Sequence, residues 1–358
     1  DATEELAASI KNDAITGLLN ATFGNAVEMI VAVQSLRKGL YEVVKTSLLG
    51  SVLSNVLLVL GTAFLLGGLT HSKQQRGRFH TINDSDFKDH ILGLEKEQKF
   101  PLKGALINMA MLLFSCMSFA LPTIFNSFPS DDSLSVLKVS RFGALIVGSS
   151  YIAFLVFELV THTKTLTKEE ASLGNSNTPI AYETEDEQEE EESASLTAWC
   201  SLLLMALCTL VVAVNSEFLV DAIDAVVRSC GIPVSFIGVI LLPIAGNACE
   251  HAAAIRFAMQ DRPGLAIGIA VGSSTQVALL VVPFSVLVGW AMDKPMNLDF
   301  GALHTVVVTL SILVVLTLLL DGRSNWLKGY ILVCLYVFIA VLYWYAPAHH
   351  PAGPTPEL

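Results

Sequence analysis

Two glutamates stand inside stretches of the chain that are otherwise apolar. Gly24-Asn25-Ala26-Val27-Glu28 and Gly246-Asn247-Ala248-Cys249-Glu250 share one pattern, and each is followed 26 residues on by a Gly-Ser pair, Gly50-Ser51 and Gly272-Ser273. A single shift of 222 residues brings both motifs into register, which is the mark of an internal repeat. An ionised carboxylate in the middle of a membrane span costs about 3 kcal/mol on insertion scales, so it needs a partner and is functional by default. Two such carboxylates at one level balance one divalent cation, and a hard cation such as Ca2+ takes about six to eight oxygen ligands. Asn25, Asn247, Ser51, Ser54, Ser273 and Gln276 can supply side-chain oxygens. Each of these six either ligates or serves helix packing, since amides and hydroxyls also tie helices together in membranes. Gly24, Gly246 and Pro243 let the helices open and offer backbone carbonyls.

Without a cation, two bare carboxylates facing each other in a low dielectric must take up protons. The site is then filled by cation or by protons and never crosses empty, which is the requirement for exchange. His251 follows Glu250 and points about 100° away on a helix, as a packed neighbour or a proton relay rather than a ligand.

The elements that must position these groups are membrane helices. The chain has 358 residues, 53% of them hydrophobic and only 15% charged, with a mean hydropathy of +0.60. A bilayer core needs about 20 apolar residues per helix. Nine windows satisfy this: 14–35, 46–69, 102–123, 140–160, 198–220, 234–258, 264–290, 301–320 and 329–345. The six cysteines have no paired spacing and read as small buried hydrophobes. The net charge of −12 comes mostly from the acidic run 183–192, a solvated linker by composition. Nucleic acid is excluded as a partner because no basic stripe exists; the partners are the bilayer and the transported ions, and the oligomeric state is open. Lys and Arg collect on cytosolic loops. The N-terminal flank and the loops after the even-numbered windows carry 13 of them, among them Arg78, Lys96, Lys99, Arg262, Arg323 and Lys328, against 7 on the other side, among them Lys38, Lys45 and Lys294. The first set, with the acidic run, is expected in the cytosol.

Five spans separate the two motifs, so the copies cross in opposite directions, an inverted-topology repeat of the kind that places a transporter's substrate at the bilayer midplane. The expected architecture is an all-α polytopic membrane protein with five helices in each repeat. The first repeat covers 1–161, the acidic linker 162–196, the second repeat 197–346 and the tail 347–358. A helix precedes the second motif and ends in Ser216-Glu217-Phe218-Leu219, while only Thr3-Glu4-Glu5-Leu6 stands before the first. The expectation is that at least one N-terminal helix is missing from this chain.

The stretches 17–28 and 242–251, with 50–61 and Gly272-Ser273-Ser274-Thr275-Gln276, resemble the two alpha-repeats of the cation/proton exchanger (CAX) family of calcium/cation antiporters. The resemblance extends over essentially the whole chain. It implies Ca2+/H+ antiport at a vacuolar or comparable acidic membrane, with Glu28 and Glu250 as the ion-binding pair and no resident cofactor. Cys249 stands where the family usually has Ala. A Na+-coupled calcium exchanger is the nearest alternative and would need additional monovalent sites. A cation channel would need pore rings built by symmetry, and a hydrolase a nucleophile or metal-ligand spacing.

Overall fold

The computed structural model describes residues 23–70, 96–128, 133–162 and 198–346. The N-terminal part of the first window, Glu4 and Glu5, the loop residue Arg78, the acidic run and the tail lie outside the described residues. Among those described, seven helices are long and apolar enough to cross a membrane, or eight if a bent pair counts as one span. The nine windows expected from hydropathy are thus seven or eight here, the first window being described only from residue 23 on.

Helix α1 is Ala26–Arg37 and α2 is Tyr41–Leu69. They are followed by α3 (Leu102–Ser127), α4 (Leu134–Thr161) and α5 (Trp199–Cys230), the last running well beyond the expected end at Val220. The bent pair is α6 (Val234–Gly246) and α7 (Ala248–Met259), which meet at 59°. Next come α8 (Pro263–Ala291), α9 (Ala302–Leu319) and α10 (Trp326–Tyr345). The bend between α6 and α7 has a local cause. Pro243 removes a backbone donor, and Gly246-Asn247 is a poor helical pair, so the ladder yields there.

Helices α2 and α8 form the centre, with 72% and 67% of their most apolar windows buried against 17–33% for the other spans. At about 1.5 Å per residue each is roughly 43 Å long, ample for a hydrocarbon core of about 30 Å. They run antiparallel. The start of α2 is tied to the connector after α8, where Lys45 Nζ donates to Asn297 Oδ1 at 2.6 Å and to the Asp299 carbonyl at 2.5 Å. The far end of α2 lies by the start of α8: a Cβ on Gly67 would come 2.7 Å from Gln98 Oε1 and 3.0 Å from Ala258 Cβ, and one on Gly264 would come 2.9 Å from Pro101 Cδ. Val52 and Ser274, related by the 222-residue shift, touch each other, Ser274 Oγ lying 3.4 Å from the Val52 carbonyl. Helices α2 and α8 therefore cross at this contact. Both helices also widen to a π-turn at matching places, Ser54–Val59 and Val277–Val281, a distortion frequent at functional sites.

Two polar clusters mark the two ends. At one, strand β1 (Gln98–Lys99) pairs antiparallel with β2 (Arg323–Ser324), Arg323 pairs with Glu97 at 2.6 Å, and Lys96 pairs with Asp261 at 2.5 Å. At the other, Asn126 Nδ2 reaches Asp299 Oδ2 at 2.7 Å, Arg141 covers the Trp290 ring, and Lys38 pairs with Asp221. The cysteines correct one expectation: all six are free, but only Cys116 is buried, the other five being exposed. A thiol among apolar side chains is as well placed against lipid as in a core, so hydropathy could not separate the two.

Candidate cation site

The two Gly-Asn-Ala-x-Glu motifs converge where α2 and α8 cross. Asn25 and Asn247 each occupy a one-residue break immediately before α1 and α7, and both are buried, at 1% and 2% exposure. Each break puts its glutamate in the first turn of the following helix. The tip of α6 reaches the first copy's carboxylate, a Cβ on Gly246 standing 4.0 Å from Glu28 Oε1.

Each glutamate accepts a hydrogen bond from the serine of its own repeat. Ser273 Oγ lies 3.0 Å from Glu250 Oε1, and Ser51 Oγ makes a longer contact of 3.5 Å with Glu28 Oε1. Asn247 Nδ2 donates to Ser51 Oγ at 3.1 Å and to Asn55 Oδ1 at 3.0 Å. Asn55 Nδ2 in turn donates to Glu250 Oε2 and to Ser273 Oγ, both at 3.1 Å. An unbroken hydrogen-bonded chain, Glu28–Ser51–Asn247–Asn55–Glu250, therefore connects the two carboxylates. Asn25 Nδ2 donates to Gln276 Oε1 at 2.7 Å, bringing the first copy's asparagine to the second copy's central helix.

Of the residues singled out in the sequence, Glu28, Glu250, Asn247, Ser51 and Ser273 are joined in this chain of hydrogen bonds, while Asn25 and Gln276 form a separate pair. Ser54 is in neither. It is buried but makes none of the network's hydrogen bonds; the adjacent Asn55, fully buried, does so instead. Ser54 matches Gln276 under the 222-residue shift, but helical spacing would have found Asn55, one turn beyond Ser51 on the same face. The repeat mate of Asn55 is Val277, so the match between the two sequence repeats fails here, and among the described residues Glu250 has two side-chain donors, at 3.0 and 3.1 Å, where Glu28 has one, at 3.5 Å. His251 turns away from the carboxylates, its Nε2 lying 2.7 Å from Thr62 Oγ1 on α2.

The donors gathered here are carboxylate, amide and hydroxyl oxygens, and among the described residues no three His, Cys, Asp or Glu side chains group as a metal site. An all-oxygen set suits a hard cation. A cavity of about 420 Å3 opens onto Glu28, Ser51 and Asn247 between α1, α2, α5 and α6.

A family model described as sodium/calcium exchanger protein matches residues 1–160 and 200–345, nearly the whole chain. The chain belongs to that family. Vacuolar cation/proton exchanger 3 of Oryza sativa subsp. japonica is 38% identical over 344 residues, 95% of this chain and 74% of its relative. A Ca2+/H+ antiporter of Aphanothece halophytica is 35% identical over 97% of this chain and 86% of its own length. The solved structure of native YfkE aligns with a TM-score of 0.73 and 31% identity, covering 96% of this chain and 87% of that one. The exchanger family accounts for the multi-pass apolar architecture, and the similar proteins are cation/proton exchangers by description.

Proposed function

We infer that this protein is a secondary active transporter, not an enzyme, that exchanges Ca2+ for H+ across a membrane by alternating access. Supporting this is the single chain of hydrogen bonds that links two carboxylates from the two sequence repeats, in a member of the exchanger family whose similar relatives are cation/proton exchangers. Glu28 and Glu250 bind the cation together, with Asn25, Asn247, Ser51, Ser273, Gln276 and Asn55 supplying oxygens or orienting the pair. When the cation leaves, the same carboxylates take up protons, and the charge of the site stays near balance on both crossings.

The architecture proposed is two inverted repeats, 1–161 and 197–346, joined by the acidic linker 162–196. The end bearing Gln98 and Arg323 faces the cytosol and the end bearing Lys45 and Asp299 faces an acidic compartment, such as a vacuole. His251, next to Glu250 in the chain, and its partner Thr62 offer a route for protons. The Na+-coupled reading has less support, since the similar relatives exchange protons.

The test is 45Ca uptake into sealed vesicles with an imposed pH gradient. Uptake should saturate with Ca2+ and collapse when a protonophore is added. Uptake that persists without the pH gradient and follows a Na+ gradient instead would overturn the reading.

A further inference from the structure

The cavity at Glu28 is one-sided. On α1 and α2 its walls come from the parts between the site and the Lys38–Lys45 end, namely Val27, Val31, Ser47 and Leu48, and nothing beyond Ser51 toward Leu69 contributes. Glu28 lines it and Glu250 does not. Its walls are mainly hydrocarbon, and the polar groups are few: Glu28, Ser47, Ser51, Asn247, and on the facing helix α5, Asn215 and Ser216. Helix α5 is otherwise apolar over this stretch, Leu202 to Val214 containing one other polar side chain, Thr209. An asparagine in such a helix costs free energy unless its groups are used. Asn215 Nδ2 donates back to the Val211 carbonyl at 2.8 Å, and its oxygen accepts no hydrogen bond among the described residues, so this residue brings a free amide acceptor to the cavity wall. Ser216 is buried at 5% exposure, so Asn215 is the more accessible of the two.

A divalent cation moving between Glu28 and water through hydrocarbon walls exchanges ligand oxygens stepwise, because losing several at once is costly for a strongly hydrated ion. We propose that Asn215 is a way-station ligand: its amide oxygen takes one coordination position of a partly hydrated divalent cation while Glu28 holds another, on the route between the site and the Lys45 end of the protein. This rests on the exchange reading above. It gives α5 a direct part in selectivity, since a neutral amide oxygen accepts a hard cation without trapping it, and it makes the two ends of the transport path unequal.

The experiment uses the full protein in sealed vesicles and measures Ca2+/45Ca2+ exchange with Ca2+ varied on one side at a time. Asn215→Ala should raise the half-saturating Ca2+ about fivefold on the side of Lys38 and Lys45, as expected for one lost oxygen ligand, with the opposite side and the maximal rate unchanged. Asn215→Asp should restore or tighten half-saturation on that side and slow the maximal rate, because a charged ligand releases the ion reluctantly. In a cysteine-free background, Asn215→Cys should react with an impermeant thiol reagent from the Lys38 side, more slowly when Ca2+ is present. Unchanged half-saturation in Asn215→Ala, or labelling of the cysteine that Ca2+ does not slow, would overturn the proposal. A wild type without proton-coupled Ca2+ uptake would instead overturn the exchange reading beneath it.

Discussion

At the scale of single residues, the two glutamates end one chain of hydrogen bonds but are not equivalent. Glu250 is fixed by Ser273 and Asn55, while among the described residues the one side-chain donor to Glu28 stands at 3.5 Å, and Glu28 borders open space. Both charges are needed to balance a divalent ion, so Glu28→Gln and Glu250→Gln should each abolish pH-driven 45Ca uptake while the protein still inserts and purifies as a folded species. Near-normal uptake by either would break the paired-site model. Asn55→Val copies into the first repeat what the second already has at Val277. It removes one donor to Glu250 and one acceptor of Asn247, and hydrogen bonds to a charged group are worth about 1.5–3 kcal/mol. The expected result is a rise of about tenfold or more in half-saturating Ca2+, measured in the same vesicles. Ser54→Ala, by contrast, should change half-saturation by less than about twofold, since Ser54 stands outside the network.

At the scale of elements, the site depends on how closely α2 can approach the bent pair. Gly50 sits against α6, where a Cβ would meet the Val239 carbonyl at 2.5 Å and Pro243 Cγ at 2.7 Å. Those atoms are backbone and ring, which cannot swing aside. Gly50→Ala should therefore push α6 outward and cost about 1–3 kcal/mol, seen as a lower unfolding temperature in detergent, together with weaker Ca2+ binding because Asn247 follows α6. Thermal stability equal to that of the unaltered protein would mean the helices part without strain. Competition between ions is also set by this geometry. If both carboxylates must lose protons before the cation binds, lowering the pH on one side should raise the half-saturating Ca2+ on that side, by up to about a hundredfold per pH unit for two protons. A value independent of pH would show that cation and protons use different groups.

At the scale of the whole molecule, the contacts divide the polar residues between two ends. One holds the β1–β2 pair with Lys96, Asp261 and Arg323, and the other holds Lys45, Asn297, Asp299 and Asn126. Single cysteines in a cysteine-free background at Lys294 and Arg323 should then react with an impermeant thiol reagent from opposite sides, Arg323 from the cytosol. Labelling of both from one side would require the path of α9 to be redrawn. Hydropathy and periodicity alone determined that this is a membrane protein of many helices, because the cost of leaving polar backbone in lipid makes a long apolar run a helix whatever surrounds it. The chain by itself also determined that two motifs repeat with one offset, and so which two carboxylates to propose for the site, because a charge in an apolar span is too expensive to be idle. What only the tertiary structure decided was which neighbours complete the site. Asn215 is brought to the cavity at Glu28 by the packing of α5 against α1, and Asn55 rather than Ser54 reaches Glu250 because a side chain's direction is set by the π-turns, the 59° bend and the crossing of α2 with α8. None of these three has a periodic signature, since each arises where one helix yields to another.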